Sequence, residues 1–302
     1  MTGEIQAPSA ARAPDSATRF LCVGNRGFVY DRMIALGLTL CPPIAVEGSY
    51  FHRALEASGQ AFRTVRRKAA LLDLLARRDF DVLVSNGCPF ILPAGVIDDP
   101  ARTFVNVHPS PLPDLPGVDP VPGALLFGRD SGASCHVMDA GIDTGPLIAR
   151  EVIPYDPAFD ADLLYHLSFR AEVAVFERAL ARGFAPDPAL AASHVGDIRS
   201  YMRREADLWL DFAEAPEAIA RRVAAFSNAA QGARLRVGEA TVVVRRCAVV
   251  RNGFLTRTFA ACSDRTVVLR YGPGVLVRRA DAFLRLDGLE GDTADLAPGV
   301  RV

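Results

Sequence analysis

Asn106 and His108 stand two residues apart, and Asp139 and Asp143 follow in a loop that also holds Gly141 and Gly145. An amide can hold a developing oxyanion, an imidazolium can polarise a carbonyl, and a carboxylate beside a histidine fixes its tautomer and favours its protonated form. Gathered at one rim, these groups suit acyl transfer. No covalent nucleophile accompanies them. Ser110 lies near His108, but Pro109 and Pro111 bracket it and no Gly-x-Ser-x-Gly elbow surrounds it. The residue types therefore favour direct transfer between two bound substrates, with proximity as a main source of rate.

Such groups need elements to hold them. Residues 104–107 alternate apolar and polar with β-branched and aromatic types, which predicts a strand. It stops at His108-Pro109, because proline has no N–H to extend a ladder. Asn106 and His108 then share one face at the carboxyl end of that strand, the edge where ligands sit in open α/β sheets. Residues 133–138 predict a second strand. The loop after it can bring Asp143 or Asp139 beside His108, since its glycines permit tight turns.

Upstream, short apolar runs at 19–23, 41–46, 62–65 and 80–85 alternate with helical periodicity at 28–38, 50–58 and 68–78. That order predicts an α/β domain with a mainly parallel, Rossmann-like sheet and helices on both faces. Gly24-Asn25-Arg26-Gly27 follows the first strand at the same sheet edge, placing Asn25 and Arg26 for a substrate contact. It lacks the G-x-G-x-x-G pattern, which argues against a dinucleotide. Phe90-Ile91-Leu92-Pro93 forms an apolar segment near the same edge.

Further on come a strand at 147–155, a long helix at 161–182 and a helix at 216–226. Short β-like runs then recur at 233–237, 240–244, 248–250, 254–259, 266–271 and 274–278, predicting a small barrel. The expected organisation is a disordered leader at 1–18, a catalytic domain at 19–182, a linker at 183–200 and a small β domain at 201–302.

The net charge of −1 gives no global field to recruit nucleic acid. From residue 193 onward there are 17 Arg against 13 acidic residues, a modest basic excess. No apolar run approaches the ~20 residues that span a bilayer. The six cysteines, at 22, 41, 88, 135, 247 and 262, show no C-x-x-C pair and no metal spacing. Buried thiols and a reducing cytoplasm are the expectation, with no metal.

The run Asn106, His108, Ser110, Leu112, Pro113 and Gly117, followed by Asp139, Gly141, Asp143 and Gly145, resembles the 10-formyltetrahydrofolate-dependent formyltransferase family. The resemblance implies that Asn106, His108 and Asp143 form the catalytic set and that 10-formyltetrahydrofolate is the co-substrate. It further implies that Phe90, Ile91 and Leu92, with Asp139, Gly141, Ile142 and Asp143, hold the pterin carrier. Ser110 and Gly117, with Asn25 and Arg26, then fall on the acceptor side. Many family members carry a basic residue where this chain has Pro116, which bears on how the acceptor is gripped. More weakly, the carboxyl part is similar to the OB-like domain of methionyl-tRNA formyltransferase. The implied reaction is formylation of a primary amine on a small molecule, an amino-sugar nucleotide or a peptide- or siderophore-type amine. Methionyl-tRNA is the second acceptor, demoted because no long basic insertion follows the second strand. A folate- or partner-binding module without turnover is the non-enzyme alternative.

Overall fold

The computed structural model describes residues 15–191 and 196–302. The expected leader lies almost wholly outside the described residues. In chain order the first sheet and its helices are β1 (Arg19–Gly24), α1 (Phe28–Ala35), β2 (Thr39–Leu40), β3 (Ile44–Val46), α2 (Tyr50–Ser58), β4 (Arg63–Val65), α3 (Lys68–Leu75), β5 (Val82–Asn86), α4 (Ala94–Ile97) and β6 (Thr103–His108). Then follow α5 (Pro120–Phe127), β7 (Ser131–Val137), β8 (Leu147–Ile153), α6 (Ala161–Ala181) and α7 (Pro188–Ala191).

The strand order is β4-β3-β1-β5-β6-β7-β8, with β2 also on β1. Strands β1 to β6 are parallel, whereas β7 pairs antiparallel with its neighbours. The mainly parallel, Rossmann-like expectation therefore holds, with one reversed strand, β7, between β6 and β8.

Residue parity builds the two faces. Phe20 and Cys22 of β1, Val82 and Val84 of β5, and Val105 and Val107 of β6 pack with Val29 and Met33 of α1, Phe51 of α2 and Val175 of α6. Their alternates, Leu21, Val23, Leu83 and Phe104, pack with Leu71 and Leu75 of α3 and Ile97 of α4. Strands apolar on both faces are what a helix-covered parallel sheet requires. Phe104, Asn106 and His108 fall on one parity, so the polar pair ends a row that faces α3 and α4.

The last part holds a 3-10 turn at Glu205–Leu208, α8 (Pro216–Phe226), β9 (Ala233–Val237), β10 (Ala240–Val250), α9 (Gly253–Thr258), β11 (Val267–Tyr271), β12 (Gly274–Arg279) and β13 (Ala282–Gly291). Its antiparallel sheet runs β11-β12-β13-β10-β9, five strands as a small barrel would supply. Three differences from the expected strands stand out. Residues 248–250 continue β10 and are no separate strand. Residues 254–259 are not a strand: 254–258 fall in α9 and Phe259 is its C-cap, because the Asn252 side chain accepts the Phe254 and Leu255 N–H groups as an N-cap. And β13, absent from the expected set, pairs with both β10 and β12.

By contacts the chain divides into two compact units. One runs to Val118 and includes Ser131–Ile153 and Leu167–Ser200; the other joins Asp119–Asp130 and Pro154–His166 to Tyr201–Val302. The second unit thus recruits α5 from within the stretch expected to belong to the catalytic domain, and the expected linker contains α7.

Candidate active site

A cavity of about 400 Å3 opens at the carboxyl edge of the first sheet, within the first unit. Parity explains its lining. Leu83, Ser85 and Gly87 continue one row of β5, Val23 and Asn25 one row of β1, and Asn106 and His108 one row of β6. Leu71, Leu75 and Ile97 close the inner end with Phe90 and Leu92. Around the mouth, Ile91, Ile142 and Val118 are exposed by 55%, 55% and 71%. Exposed aliphatic side chains grouped about one cavity mark a site for an apolar or flat ligand.

The polar wall is a network centred on Asp143. Asn106 Nδ2 donates to Asp143 Oδ1 at 3.1 Å, and the Gly117 N–H donates to Asp143 Oδ2 at 2.8 Å. His108 Nδ1 lies 3.5 Å from Asp143 Oδ2, and His136 Nε2 lies 3.5 Å from Asp143 Oδ1. Of the two carboxylates left open by spacing, Asp143, the one the resemblance implied, lies beside His108. Its φ of +55° is the left-handed region, which Asp tolerates better than most side chains. The loop holding it is tied by Asp139, whose Oδ1 accepts from Gly141 N and Thr144 Oγ1 at 3.0 and 2.7 Å. Gly145 permits the loop's return: a Cβ there would sit 1.8 Å from the Val137 carbonyl oxygen.

His108 is 6% exposed. Its Nε2–H donates to the Leu115 carbonyl at 3.2 Å, which places the proton on Nε2 and leaves the Nδ1 lone pair towards Asp143. Burial lowers the ring to about 4, against the opposing pull of Asp143 and the Leu115 carbonyl. Both effects act, and desolvation wins because the ring has almost no water. For Asp143, burial pushes upward, but His136, His108 and the Gly117 amide outweigh it and hold the carboxyl at about 2. Burial thus favours a neutral imidazole beside a carboxylate.

The structure brings together most of the residues singled out from sequence. Asn106, His108, Asp143, Phe90, Ile91, Leu92, Asp139, Gly141, Ile142, Asn25, Arg26 and Gly117 all line the cavity. Ser110 does not, and its placement on the acceptor side is corrected. It is fully buried, its Oγ donates to the Asp114 carbonyl at 2.9 Å, and its own carbonyl accepts from Ser134 Oγ at 2.8 Å. Ser110 thus shapes the loop that carries Leu115 to His108. Arg26 reaches the cavity, but its guanidinium makes a bidentate pair with buried Glu172, at 3.2 and 2.6 Å. Gly87, with φ +71°, lets Asn25 and Arg26 lie close: a Cβ there would be 2.1 Å from Asn25 Oδ1.

Sequence reasoning missed His136 and Glu172. His136 is opposite Asn106 in the β6–β7 ladder, and its Nε2 lies 3.2 Å from Asn106 Nδ2. Its Nδ1 bonds the Val137 carbonyl at 2.9 Å. The signal was a histidine in a buried strand, readable only once β7 is known to pair antiparallel with β6. Glu172 is a carboxylate inside the apolar stripe of α6, a position that needs a buried partner.

Among the described residues, no group of His, Cys, Asp and Glu could hold a metal ion, and no helix is long and apolar enough to cross a membrane. All six cysteines are free thiols.

Residues 51–180 match the family model described as formyl transferase. Over 207 residues the chain is 35% identical to a methionyl-tRNA formyltransferase of Novosphingobium aromaticivorans, covering 66% of this chain and 68% of that protein. Over 249 residues it is 31% identical to one from Acidiphilium cryptum, covering 78% and 80% respectively. In fold it is similar to an N-formyltransferase from Helicobacter canadensis solved with folinic acid and dTDP-3-aminofucose, with a TM-score of 0.64, 14% identity, and coverage of 90% of this chain and 100% of that one.

Proposed function

The chain belongs to the formyl transferase family and is a folate-dependent formyl-transfer enzyme, and we propose that it delivers the formyl group of 10-formyltetrahydrofolate to a primary amine on a small molecule. An amino-sugar nucleotide or a peptide- or siderophore-type amine is the acceptor class. The observation that carries the reading is the convergence of Asn106, His108 and Asp143 on one wall of a cavity whose inner end is apolar.

The apolar end, from Leu71 and Leu75 to Phe90, Leu92 and Ile97, fits a flat heterocycle, and Ile91 and Ile142 at the mouth fit the apolar part of the carrier beyond it. The carrier supplies an activated formyl carbonyl. Asn106 and His108 are assigned to the oxyanion that forms as the neutral amine attacks. Negative charge gathering there raises the proton affinity of the neutral His108 ring. The proton released by the attacking nitrogen passes through water to Nδ1, which then faces Asp143 as a donor to a carboxylate, and it leaves again to the departing tetrahydrofolate nitrogen. Asp143 thus orients His108 and, through water, assists removal of the amine proton.

For the acceptor, the connection from β3 to α2 is only Glu47, Gly48 and Ser49, too short for a nucleic-acid-binding arm. Glu47 is itself paired with Arg66. Methionyl-tRNA is the second reading, favoured by the sequence relatives and by the Arg234 and Arg236 guanidiniums over Trp209 in the second unit. The test is incubation with 10-formyltetrahydrofolate and a panel of amines, following tetrahydrofolate release. Turnover with small amines is expected. A gel-shift salt series with methionyl-tRNA runs beside it. Tight binding that weakens steeply with salt, joined to turnover on methionyl-tRNA alone, would overturn the small-amine reading.

A further inference from the structure

Three aromatic rings stack next to the β1–α1 loop, and the site as described does not use them. Phe28, at the start of α1, stacks on Phe169 of α6 with centroids 4.6 Å apart and planes 18° from parallel. It also stacks on Tyr50, at the start of α2, with centroids 6.1 Å apart and planes 4° from parallel. Tyr50 is 60% exposed and is the outer ring of the row. The Phe51 N–H donates to the Asn25 carbonyl at 3.0 Å, so the first turn of α2 is tied to the loop that lines the cavity. Ser49 caps α2 through the His52 N–H, which fixes where Tyr50 begins.

From this geometry we infer that Tyr50 is a stacking platform for a flat aromatic ring carried by the amine acceptor. The inference rests on the small-amine reading above and narrows it to ring-bearing acceptors. The carboxyl edge runs in the order β6, β5, β1, β3, so an acceptor whose amine lies near His108 and which extends past Asn25 next meets Tyr50. Of the charges alongside, Glu47 is paired with Arg66 and Arg26 with Glu172, while Arg53 is turned to the Gly48 carbonyl. A tyrosine held parallel to a second ring is pre-ordered, so stacking costs it little rotamer freedom. The occupant is either a nucleobase or an aryl side chain, which share the flat π face.

The test compares wild type with Tyr50→Leu, which keeps a side chain against Phe28, and Tyr50→Phe, which keeps the ring. Acceptors come as matched pairs, amino-nucleosides and aryl amines against ringless amines of similar length. For at least one ring class, Tyr50→Leu raises KM roughly tenfold with kcat held, and Tyr50→Phe stays near wild type. Ringless amines respond to neither change. Whichever ring class shows the dependence names the occupant. Equal effects on ring-bearing and ringless acceptors would overturn the platform. If no small amine is formylated at all, the reading of the reaction fails, and the platform is still judged by calorimetric titration of free nucleosides and aryl amines. Binding weakened in Tyr50→Leu supports it, and equal or absent binding in both proteins overturns it.

Discussion

Two buried polar clusters lie at the same edge of one sheet, and they are built on opposite principles. Asn106, His108, His136 and Asp143 share partners: one carboxylate serves an amide, a backbone N–H and two nearby imidazoles. Arg26 and Glu172 saturate each other in a bidentate fork. The first cluster contains a neutral ring facing a carboxylate across 3.5 Å, with no proton between them, so a proton can enter. In the second, Glu172 is held by the Arg26 fork and by the Asn86 side chain. Glu172 is fully buried; burial pushes its carboxyl up and the Arg26 guanidinium pulls it back. A shared, under-protonated network can do chemistry, whereas a closed ion pair holds α6 to the β1–α1 loop.

The largest effect tests the closed pair. Glu172→Ala leaves the Arg26 charge without its carboxylate in a nearly dry site, and should lower stability by about 3–5 kcal/mol in urea denaturation. A loss below about 1 kcal/mol would mean that the fork is not closed in solution. Next comes the open cluster. His108→Ala should keep the fold and lower kcat/KM by roughly 100-fold or more, read by tetrahydrofolate release. Near-normal turnover in that variant would sink the assignment of the oxyanion to His108.

A third test asks which effect sets the resting charge of His108. Its folded value of about 4 lies below the ordinary 6.5, so the unfolded chain binds the extra proton first. Stability from this group is complete above pH 6.5 and is lost as pH falls towards 4, by up to ~3 kcal/mol. Asp143, at about 2 against 3.8, adds a further loss only between pH 3.8 and 2. Urea midpoints for wild type and His108→Asn between pH 7 and 4.5 isolate the histidine contribution. A wild type that gains relative stability on acidification would restore the resting imidazolium. The smallest effect concerns the loop clip. Thr144→Val removes the bond to Asp139 and should lower kcat/KM by a few-fold, with stability changed by about 1 kcal/mol.

Much of the fold is legible because periodicity reports burial. The apolar run at 80–85 reflects a strand covered on both faces, the 104–107 pattern coincides with β6, and the 216–226 pattern coincides with α8. Legibility fails where local polar bonds override side-chain preference. Residues 254–259 carry Phe, Leu and Thr, yet the Asn252 cap turns them into a helix. Strand β13 does show the period-two pattern, with Leu284 and Leu286 buried and Arg285 exposed, but Gly288 and Gly291 interrupt it like turns.

The candidate site divides in the same way. Spacing alone put Asn106 and His108 on one face, since side chains two apart in a strand point the same way, and the glycines announced a tight loop after β7. Residue spacing left Asp139 and Asp143 open and only the family resemblance pointed to Asp143, because the loop's path depends on the Asp139–Thr144 clip and on the Gly117 N–H reaching back from another loop. Nor could spacing show that Ser110 faces inward, that His136 stands across from Asn106, or that His108 is buried enough to lower its proton affinity. Those facts follow from antiparallel pairing and from the depth of burial, which are set by residues far apart in the chain. Type and order of residues decided which groups were available; the tertiary structure decided which of them meet, and how much water is left between them.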